Sequence, residues 1–425
     1  MPFQKLKDFI IQVSKEEVSN EIVSFENTFS EVLNRSTTHQ ESVILLMGLA
    51  PHVIPGFYDQ LIKEIHPEGG EFPEWGGVKD DAYRSMQPTG ETVQHVLGGT
   101  NVNERIAVES LFSQEHWFYK EQVLYLESVR EGMPFMSGKI ILPPESLSLL
   151  IHGEITRPKF GPEFPAKELT TKMEWEHLVL GDATMKQLDH LKMWLNHHDV
   201  LRNNLGLDKF MNPGYRALFF GPSGTGKTLT VSLLGKQFQK PVFRIDLSQI
   251  VSKYVGETEK NLEKIFTRAE NKDWILFFDE GDSIFGKRTT SRTAQDRFAN
   301  QGVSYLLQRI ESFDGVVILA SNFKNNIDQA FLRRFNTVVN FAKPNAKERL
   351  KLWKMALPQN LNIENVHLEN VAEAYELTGA QIVNAMTSSC LQAVEDKSDN
   401  ISMPILQNAI RLEFQKEERM FVELN

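Results

Sequence analysis

Residues 217–228 read Ala217-Leu218-Phe219-Phe220-Gly221-Pro222-Ser223-Gly224-Thr225-Gly226-Lys227-Thr228, and Leu229 continues the run. An apolar stretch of strand length passes into a glycine-rich loop and then into the opening of a helix. The last eight residues are the G-x-x-x-x-G-K-[ST] phosphate-binding pattern in the context it requires. Its glycines let backbone N–H groups curl around an oxyanion with no side chain in the way. The helix opening near Lys227 adds the positive end of its dipole. The pattern assigns Lys227 to the β- and γ-phosphates and the Thr228 hydroxyl to Mg²⁺. A glycine-rich turn that binds nothing would not need this order of strand, loop, lysine and helix. A bound nucleoside triphosphate with Mg²⁺ is the expectation.

Outward from this stretch, strands and helices alternate. Leu218–Phe220, Val242–Asp246, Ile275–Asp279 and Val316–Ala320 are apolar runs of strand length. Helical patterns at Lys227–Phe238, Thr258–Glu270 and Ala299–Ser312 separate them. That alternation predicts a parallel sheet covered on both faces. After Phe341 the chain turns helical. Asn345 and Glu348 form a capping-box pair behind Pro344. Leu350, Trp353 and Leu357 then share a face, and Pro358 ends the segment. Helices around Gly379–Val394 and Met403–Arg419 complete an all-α carboxy-terminal lid. The expected organisation is an α/β P-loop core at 169–342, a lid at 343–425, and a mostly helical partner or adaptor domain with its linker at 1–168.

Within 1–168, helical periodicity runs through Phe3–Leu33 and Gln40–Ile65, followed by a Gly-, Pro- and polar-rich stretch, Pro67–Asn103. Glu109–Val129 reads as an aromatic helix. Gly138–Leu142 and Ser148–Ile151 read as short strands around Pro143-Pro144. Thr156–Leu169 carries Pro158, Pro162 and Pro165 and reads as a linker.

At 425 residues the chain has room for about three domains. The lone cysteine, Cys390, excludes an internal disulfide framework and suits a reducing cytosol. No apolar run is long enough to span a bilayer, and Met1-Pro2-Phe3-Gln4-Lys5 lacks a secretory apolar region. A cytoplasmic protein without membrane partners is expected. The net charge of −10 argues against sequence-independent adhesion to nucleic acid.

Trp274-Ile275-Leu276-Phe277-Phe278-Asp279-Glu280 is an apolar strand ending in two carboxylates. Asp279 suits a Mg²⁺-associated role and Glu280 suits polarising an attacking water. Phosphoryl transfer asks a protein to place metal and water and to stabilise charge, more than to do covalent chemistry. Ile318-Leu319-Ala320-Ser321-Asn322 is a further strand ending in a neutral polar side chain, where ligands bind in open α/β sheets. Asn322 there either holds the hydrolytic water, reads the γ-phosphate, or is a turn residue. Arg333 and Arg334 follow in Phe331-Leu332-Arg333-Arg334-Phe335, either as structural ion pairs or as charges offered to a neighbour's nucleotide.

In this order, and followed by a helical lid, these motifs resemble the AAA+ ATPases over roughly Trp175–Arg419. The AAA subgroup is the closer likeness, because Ser252-Lys253-Tyr254-Val255-Gly256-Glu257 is similar to its first pore loop. The resemblance implies Walker A for 221–228, Walker B for Asp279 and Glu280, sensor 1 for Asn322 and the arginine finger for Arg333 and Arg334. The family spaces its arginines where these adjoin, which leaves the finger open, with Arg334 preferred. Leu180-Gly181-Asp182 occupies the place where the family's backbone grips adenine. Gly379-Ala380 resembles the lid's Gly-Ala, with no sensor-2 arginine. Lys253, Tyr254 and Val255 would face a central pore and grip an extended polypeptide; the alternative is a tyrosine packed on the following helix. The implied activity is ATP hydrolysis by a homo-oligomeric ring, a hexamer, that remodels a protein substrate or complex.

A narrower likeness lies in Asp273–Glu280, Phe285-Gly286-Lys287-Arg288-Thr289, Tyr305-Leu306-Leu307-Gln308-Arg309 and Phe331–Phe335. These are similar to bacterial AAA ATPases encoded with extracellular contractile injection systems. Two other readings stay open: an ATP-dependent assembly switch or scaffold without threading, and a nucleic-acid-dependent motor or loader.

Overall fold

A computed structural model describes residues 2–15, 24–70, 72–79, 83–154, 157–158, 160–162, 164–206, 208–250, 256–270, 272–282, 294–322, 329–358, 361–364 and 366–424. Lys253, Tyr254 and Val255 lie outside the described residues. The chain divides into two compact units, Met1–Pro158 and Lys159–Asn425.

The first unit holds helices α1 (Pro2–Ser14), α2 (His39–Val53), α3 (Phe57–Ile65), α4 (Gly90–Gly98), α5 (Val102–Ser110) and α6 (Pro144–His152). Strands β1 (Tyr125–Leu126) and β2 (Ile140–Ile141) pair antiparallel. Helix α2 is its centre, with every residue from Glu41 to Ala50 buried. A capping box starts it: the Thr38 side chain accepts from the Glu41 N–H, and the Glu41 carboxylate accepts from the Thr38 N–H. The run expected as one helix over Gln40–Ile65 is two, because Gly56 turns left-handed (φ 71°) between them. Ser148–Ile151 lies in helix α6 and not in a strand; Pro144 in the first turn is pre-set for helix entry. The expected aromatic helix at 109–129 reduces to one turn, Trp117–Lys120, ahead of β1. The polar stretch 67–103 contains α4, opened by a Thr89–Thr92 capping box.

The Glu41 carboxylate also reaches across the unit. Its Oε1 accepts from Trp117 Nε1 at 2.6 Å and lies 3.0 Å from His116 Nε2. Burial pushes its pKa up, but the bonds from Thr38 and Trp117 outweigh that and hold it below the ordinary value of 4.5.

The second unit is built on six strands: β3 (Lys167–Glu168), β4 (Tyr215–Phe220), β5 (Val242–Asp246), β6 (Ile275–Asp279), β7 (Val316–Ser321) and β8 (Thr337–Asn340). Their spatial order is β3-β5-β6-β7-β4-β8. The last five in that order run parallel; β3 lies antiparallel along β5, with Lys167 opposite Arg244. Helices α7 (Asp182–Asp199), α8 (Lys227–Phe238), α9 (Glu257–Ala269) and α10 (Ala294–Ser312) are the helical partners of these strands. Alternate strand residues enter two cores. Leu276 and Phe278 join Leu262, Phe266 and Leu306 in one. Ile275 and Phe277 join Leu188, Val231 and Leu234 in the other. Burial of both faces explains why these strands read as continuous apolar runs.

Residues 159–168, grouped with the first region from the sequence, belong to this unit. Phe164 is buried against Phe243 and Trp274, with ring centroids 5.2 and 5.9 Å away, and β3 adds to the sheet edge. The lid packs α11 (Ala346–Ala356), α12 (Leu368–Ala374), α13 (Gly379–Glu395) and α14 (Met403–Lys416) around Trp353. The Asn345–Glu348 capping box is present. A parallel pair, β9 (Asn362–Glu364) with β10 (Asn400–Ser402), is added to the expected helices. Among the described residues no single helix is long and apolar enough to cross a membrane.

Replacing Glu41 with glutamine removes the charge that three donors converge on. A loss of about 1–3 kcal/mol is expected at neutral pH, measured by urea unfolding. The folded carboxyl has the lower pKa, so its contribution is complete above the ordinary value and is lost as pH falls through the depressed one. The gap between wild type and Glu41→Gln therefore narrows in acid. A gap independent of pH counts against the charge.

Candidate nucleotide-binding site

Parallel strands bring their carboxyl ends to one edge of the sheet, and the ends of β4, β6 and β7 carry the site. The loop after β4 needs glycine for two separate reasons at Gly224. Its φ is +75°, and a Cβ there would lie 2.7 Å from Thr378 Oγ1 and 2.8 Å from Ala380 Cβ. Gly221 is as constrained: φ is +146°, and a Cβ would fall 2.1 Å from the Phe341 carbonyl oxygen. Thr225 Oγ1 braces the loop by donating to the Pro222 carbonyl at 2.8 Å.

Lys227, the first residue of α8, is buried. Its ammonium donates to the carbonyls of Gly221 (2.6 Å) and Pro222 (3.0 Å) and to Asn322 Oδ1 (3.1 Å). Burial lowers its pKa, opposed by the Asp279 and Asp282 carboxylates. The phosphate loop is thus tied to the end of β7.

Asp279 closes β6 and pairs with Arg244 Nε of the neighbouring strand at 2.9 Å. Glu280 then takes a left-handed backbone, φ 57°. That is uncommon for a residue with a side chain and costs on the order of 1–3 kcal/mol. The turn is fixed by Glu280 N–H donating to Asp279 Oδ1 (3.0 Å) and Gly281 N–H donating to the Ala320 carbonyl (2.8 Å). Asp282, next in this turn, accepts from the Asn322 backbone N–H (3.1 Å) and from Asn322 Nδ2 (3.3 Å).

These elements surround a cavity of about 720 Å³ between core and lid. Ser223, Gly224, Thr225, Gly226, Lys227, Thr228 and Leu229 line it, with Asp279, Glu280, Asn322, Gly181, Gly379 and Ala380. The lid touches the loop directly, as the Ala380 N–H donates to the Gly224 carbonyl at 3.2 Å. Gly221 and Pro222 are not in the cavity wall and give their carbonyls to Lys227. Asp182 is exposed at the start of α7 and is not in the wall, whereas its neighbour Gly181 is.

Arg333 and Arg334 are also exposed and outside this chain's own cavity; Arg334 Nε pairs with Glu311 Oε1 at 2.8 Å. Two site residues were missed from the sequence. Arg244 signalled itself as a cation within an apolar strand, and Asp282 as a third carboxylate after the strand-ending pair. The remaining wall, including Leu178, Leu180, Leu352 and Val383, supplies an apolar slot.

The arrangement fits a nucleoside triphosphate with Mg²⁺. Glycine-rich backbone and an ammonium are gathered at one end where phosphates would lie, and the apolar slot suits a flat base. Thr228 and Asp279 offer a hydroxyl and a carboxylate oxygen to a metal. Among the described residues no cluster of three or more His, Cys, Asp or Glu is gathered for a metal. That accords with Mg²⁺, which takes one or two protein ligands and completes its shell with phosphates and water.

A glycine loop and lysine at the end of parallel strand β4, with carboxylates at the end of β6, and with β7 lying between the two strands, define a P-loop nucleotide-binding fold. Residues 217–343 match the ATPase family associated with various cellular activities (AAA), so the chain carries an AAA ATPase domain. It is 31% identical over 206 residues to the proteasome-activating nucleotidase of Methanococcus maripaludis strain C7, covering 47% of this chain and 50% of that protein. With the proteasome-activating nucleotidase of Methanocaldococcus jannaschii it shares 29% over 229 residues, 52% of each chain. With the peroxisomal ATPase PEX6 of Pichia angusta it shares 28% over 336 residues, 74% of this chain and 28% of that one. The chain spans about half the length of the curated nucleotidases it matches.

Lys227→Ala is expected to weaken ATP binding about 10–100-fold, the worth of a charge-assisted contact. Gly224→Ala should also weaken it, through strain and through displacement of Thr378 and Ala380. Titration with a fluorescent ATP analogue checks both, with circular dichroism confirming the fold. Wild-type affinity in Lys227→Ala would remove the phosphate assignment.

Proposed function

We propose that this chain is an ATP-hydrolysing AAA+ motor that works as a homo-oligomeric ring, by family likeness a hexamer, and remodels protein substrates. The observation that carries the reading is convergence: phosphate loop, Asp279, Glu280, Asn322 and the lid's Gly379-Ala380 face one cavity. In this reading Lys227 turns from its loop carbonyls to the phosphates. Glu280, aimed by its left-handed backbone, takes a proton from the attacking water. Mg²⁺, when bound by Thr228 and Asp279, neutralises phosphate charge. Arg334, exposed and outside its own chain's cavity, acts on the neighbouring subunit's nucleotide.

Relatives named for activating a proteasome and for a peroxisomal ATPase support a protein as the substrate. Lys253, Tyr254 and Val255 are the proposed grip, because an aromatic contacts any backbone over a large area at low entropy cost. The injection-system motifs support a place beside such an assembly in a bacterial cytoplasm, with residues 1–168 as the partner-binding part. A switch or scaffold that never threads its partner would keep the nucleotide site and have no need of Tyr254.

Glu280→Gln is expected to bind ATP normally and to turn over at least about 100-fold more slowly, since the base is lost and the cradle kept. Phosphate release measures it, and a wild-type rate would sink the assignment. The same variant should trap the protein substrate in a pull-down with ATP. Arg334→Ala mixed with Lys227→Ala is expected to recover hydrolysis that neither shows alone, because intact arginines then face intact sites. Full activity at concentrations where the chain is monomeric would exclude action in trans.

A further inference from the structure

We propose that Asp282 is a positioning residue for hydrolysis, holding the Asn322 amide so that Oδ1, and not Nδ2, faces the phosphate loop. The inference rests on the hydrolytic reading of the site and deepens it by assigning the chemical sense of Asn322.

Donors and acceptors fix the orientation of the amide. A carboxylate only accepts, and an ammonium only donates. Asp282 Oδ1 takes the Asn322 backbone N–H at 3.1 Å, and Asp282 Oδ2 takes Asn322 Nδ2 at 3.3 Å. On the far side, Lys227 Nζ donates to Asn322 Oδ1 at 3.1 Å. The amide is wedged between an obligate acceptor and an obligate donor. Turned over, it would set its carbonyl against the carboxylate and its NH₂ against the ammonium, losing two hydrogen bonds and gaining two repulsions.

The sequence left Asn322 between holding a water and reading the γ-phosphate. Asp282 takes one of the two Nδ2 hydrogens and fixes which end of the amide lies beside Lys227. That end is Oδ1, an acceptor with a second lone pair, which suits a water O–H. Asn322 Oδ1 then accepts a hydrogen bond from one O–H of the water while Glu280 takes the proton of the other, and the oxygen's lone pair is left toward the phosphorus. The same turn sets both groups: Gly281 N–H on the Ala320 carbonyl ties residues 279–282 to β7, so the support of Asn322 and the aim of Glu280 share one piece of backbone.

The test is a swap in the full-length chain. Asp282→Asn places an NH₂ against Asn322 Nδ2 and unlocks the amide. Turnover should fall on the order of 100-fold, the scale of one misplaced group in a reaction site, with ATP affinity within about 3-fold of wild type. Asn322→Asp alone sets two carboxylates face to face and should fall as far. Combining the two restores every pairing in mirror image. The introduced amide accepts the backbone N–H and donates to the introduced carboxylate, whose other oxygen keeps Lys227. The double variant should turn over at least about 5-fold faster than either single one, a non-additivity that contact pairs show.

Melting temperature is followed alongside, since a merely structural role would move stability and affinity with turnover. Should Asp282→Asn fail to fold, Asp282→Ser carries the same expectation. Wild-type turnover in Asp282→Asn overturns the inference while leaving hydrolysis intact; so does a double variant no better than the singles. A wild-type chain that binds ATP without hydrolysing it overturns the hydrolytic reading and this inference together.

Discussion

Burying an ammonium is costly unless its protons are met, and the site is organised around meeting those of Lys227. Two acceptors come from the loop it belongs to and the third from Asn322, one residue past β7. Each acceptor is itself fixed. Gly221 cannot move because its backbone lies against the Phe341 carbonyl, and Asn322 cannot turn because Asp282 holds it. The lysine therefore joins β4, β7 and the turn after β6 into one object. Phosphate oxygens are better partners for an ammonium than carbonyls are, so a nucleotide competes for the group that holds these strands' ends together. Binding and the arrangement of the polar side chains around the cavity are then linked through a single nitrogen.

The lid is coupled to the same loop by a shorter route. The Ala380 N–H, in the first turn of α13, donates to the Gly224 carbonyl. Peptide units transmit orientation: when the Gly224 N–H turns toward a phosphate, neighbouring carbonyls turn with the loop. A side chain at Gly224 would hold the lid off by its clash with Thr378 and Ala380. Glycine here serves the phosphate and the lid at once, which is why the first turn of a distant helix can respond to what the loop binds.

Much of this was legible in the sequence, and the reason is locality. A phosphate cradle is made by consecutive residues, so 221–228 announced itself. Strands buried on both faces read as apolar runs, so β5 and β6 were placed to the residue. The errors fell where a decision depended on distant packing. Ser148–Ile151 has the length of a buried strand or of a buried helical turn, and only Pro144 at the helix start separates them. Lys167–Glu168 is too short and charged to look like a strand; it becomes one because Phe164 anchors the chain beside an open edge of β5. Arg244 and Asp282 were passed over for the same reason. Their partners, Asp279 and Asn322, lie on neighbouring strands or beyond, and no spacing rule connects them.

The strain at Glu280 shows how the site is kept ready. A left-handed glutamate would relax to an extended backbone if the turn were free, carrying its carboxylate away from the cavity. It is not free. Asp279 ahead of it is paired with Arg244, and Gly281 behind it is bonded to Ala320. Asp282 closes the turn on Asn322, so the turn is anchored on one side to β5 and on the other, twice, to the end of β7. Strained backbone persists only where its surroundings over-determine it, and three anchors for one residue meet that condition. The backbone that carries Glu280 at the cavity wall is thereby set before any ligand arrives, so setting it need not be supplied by binding.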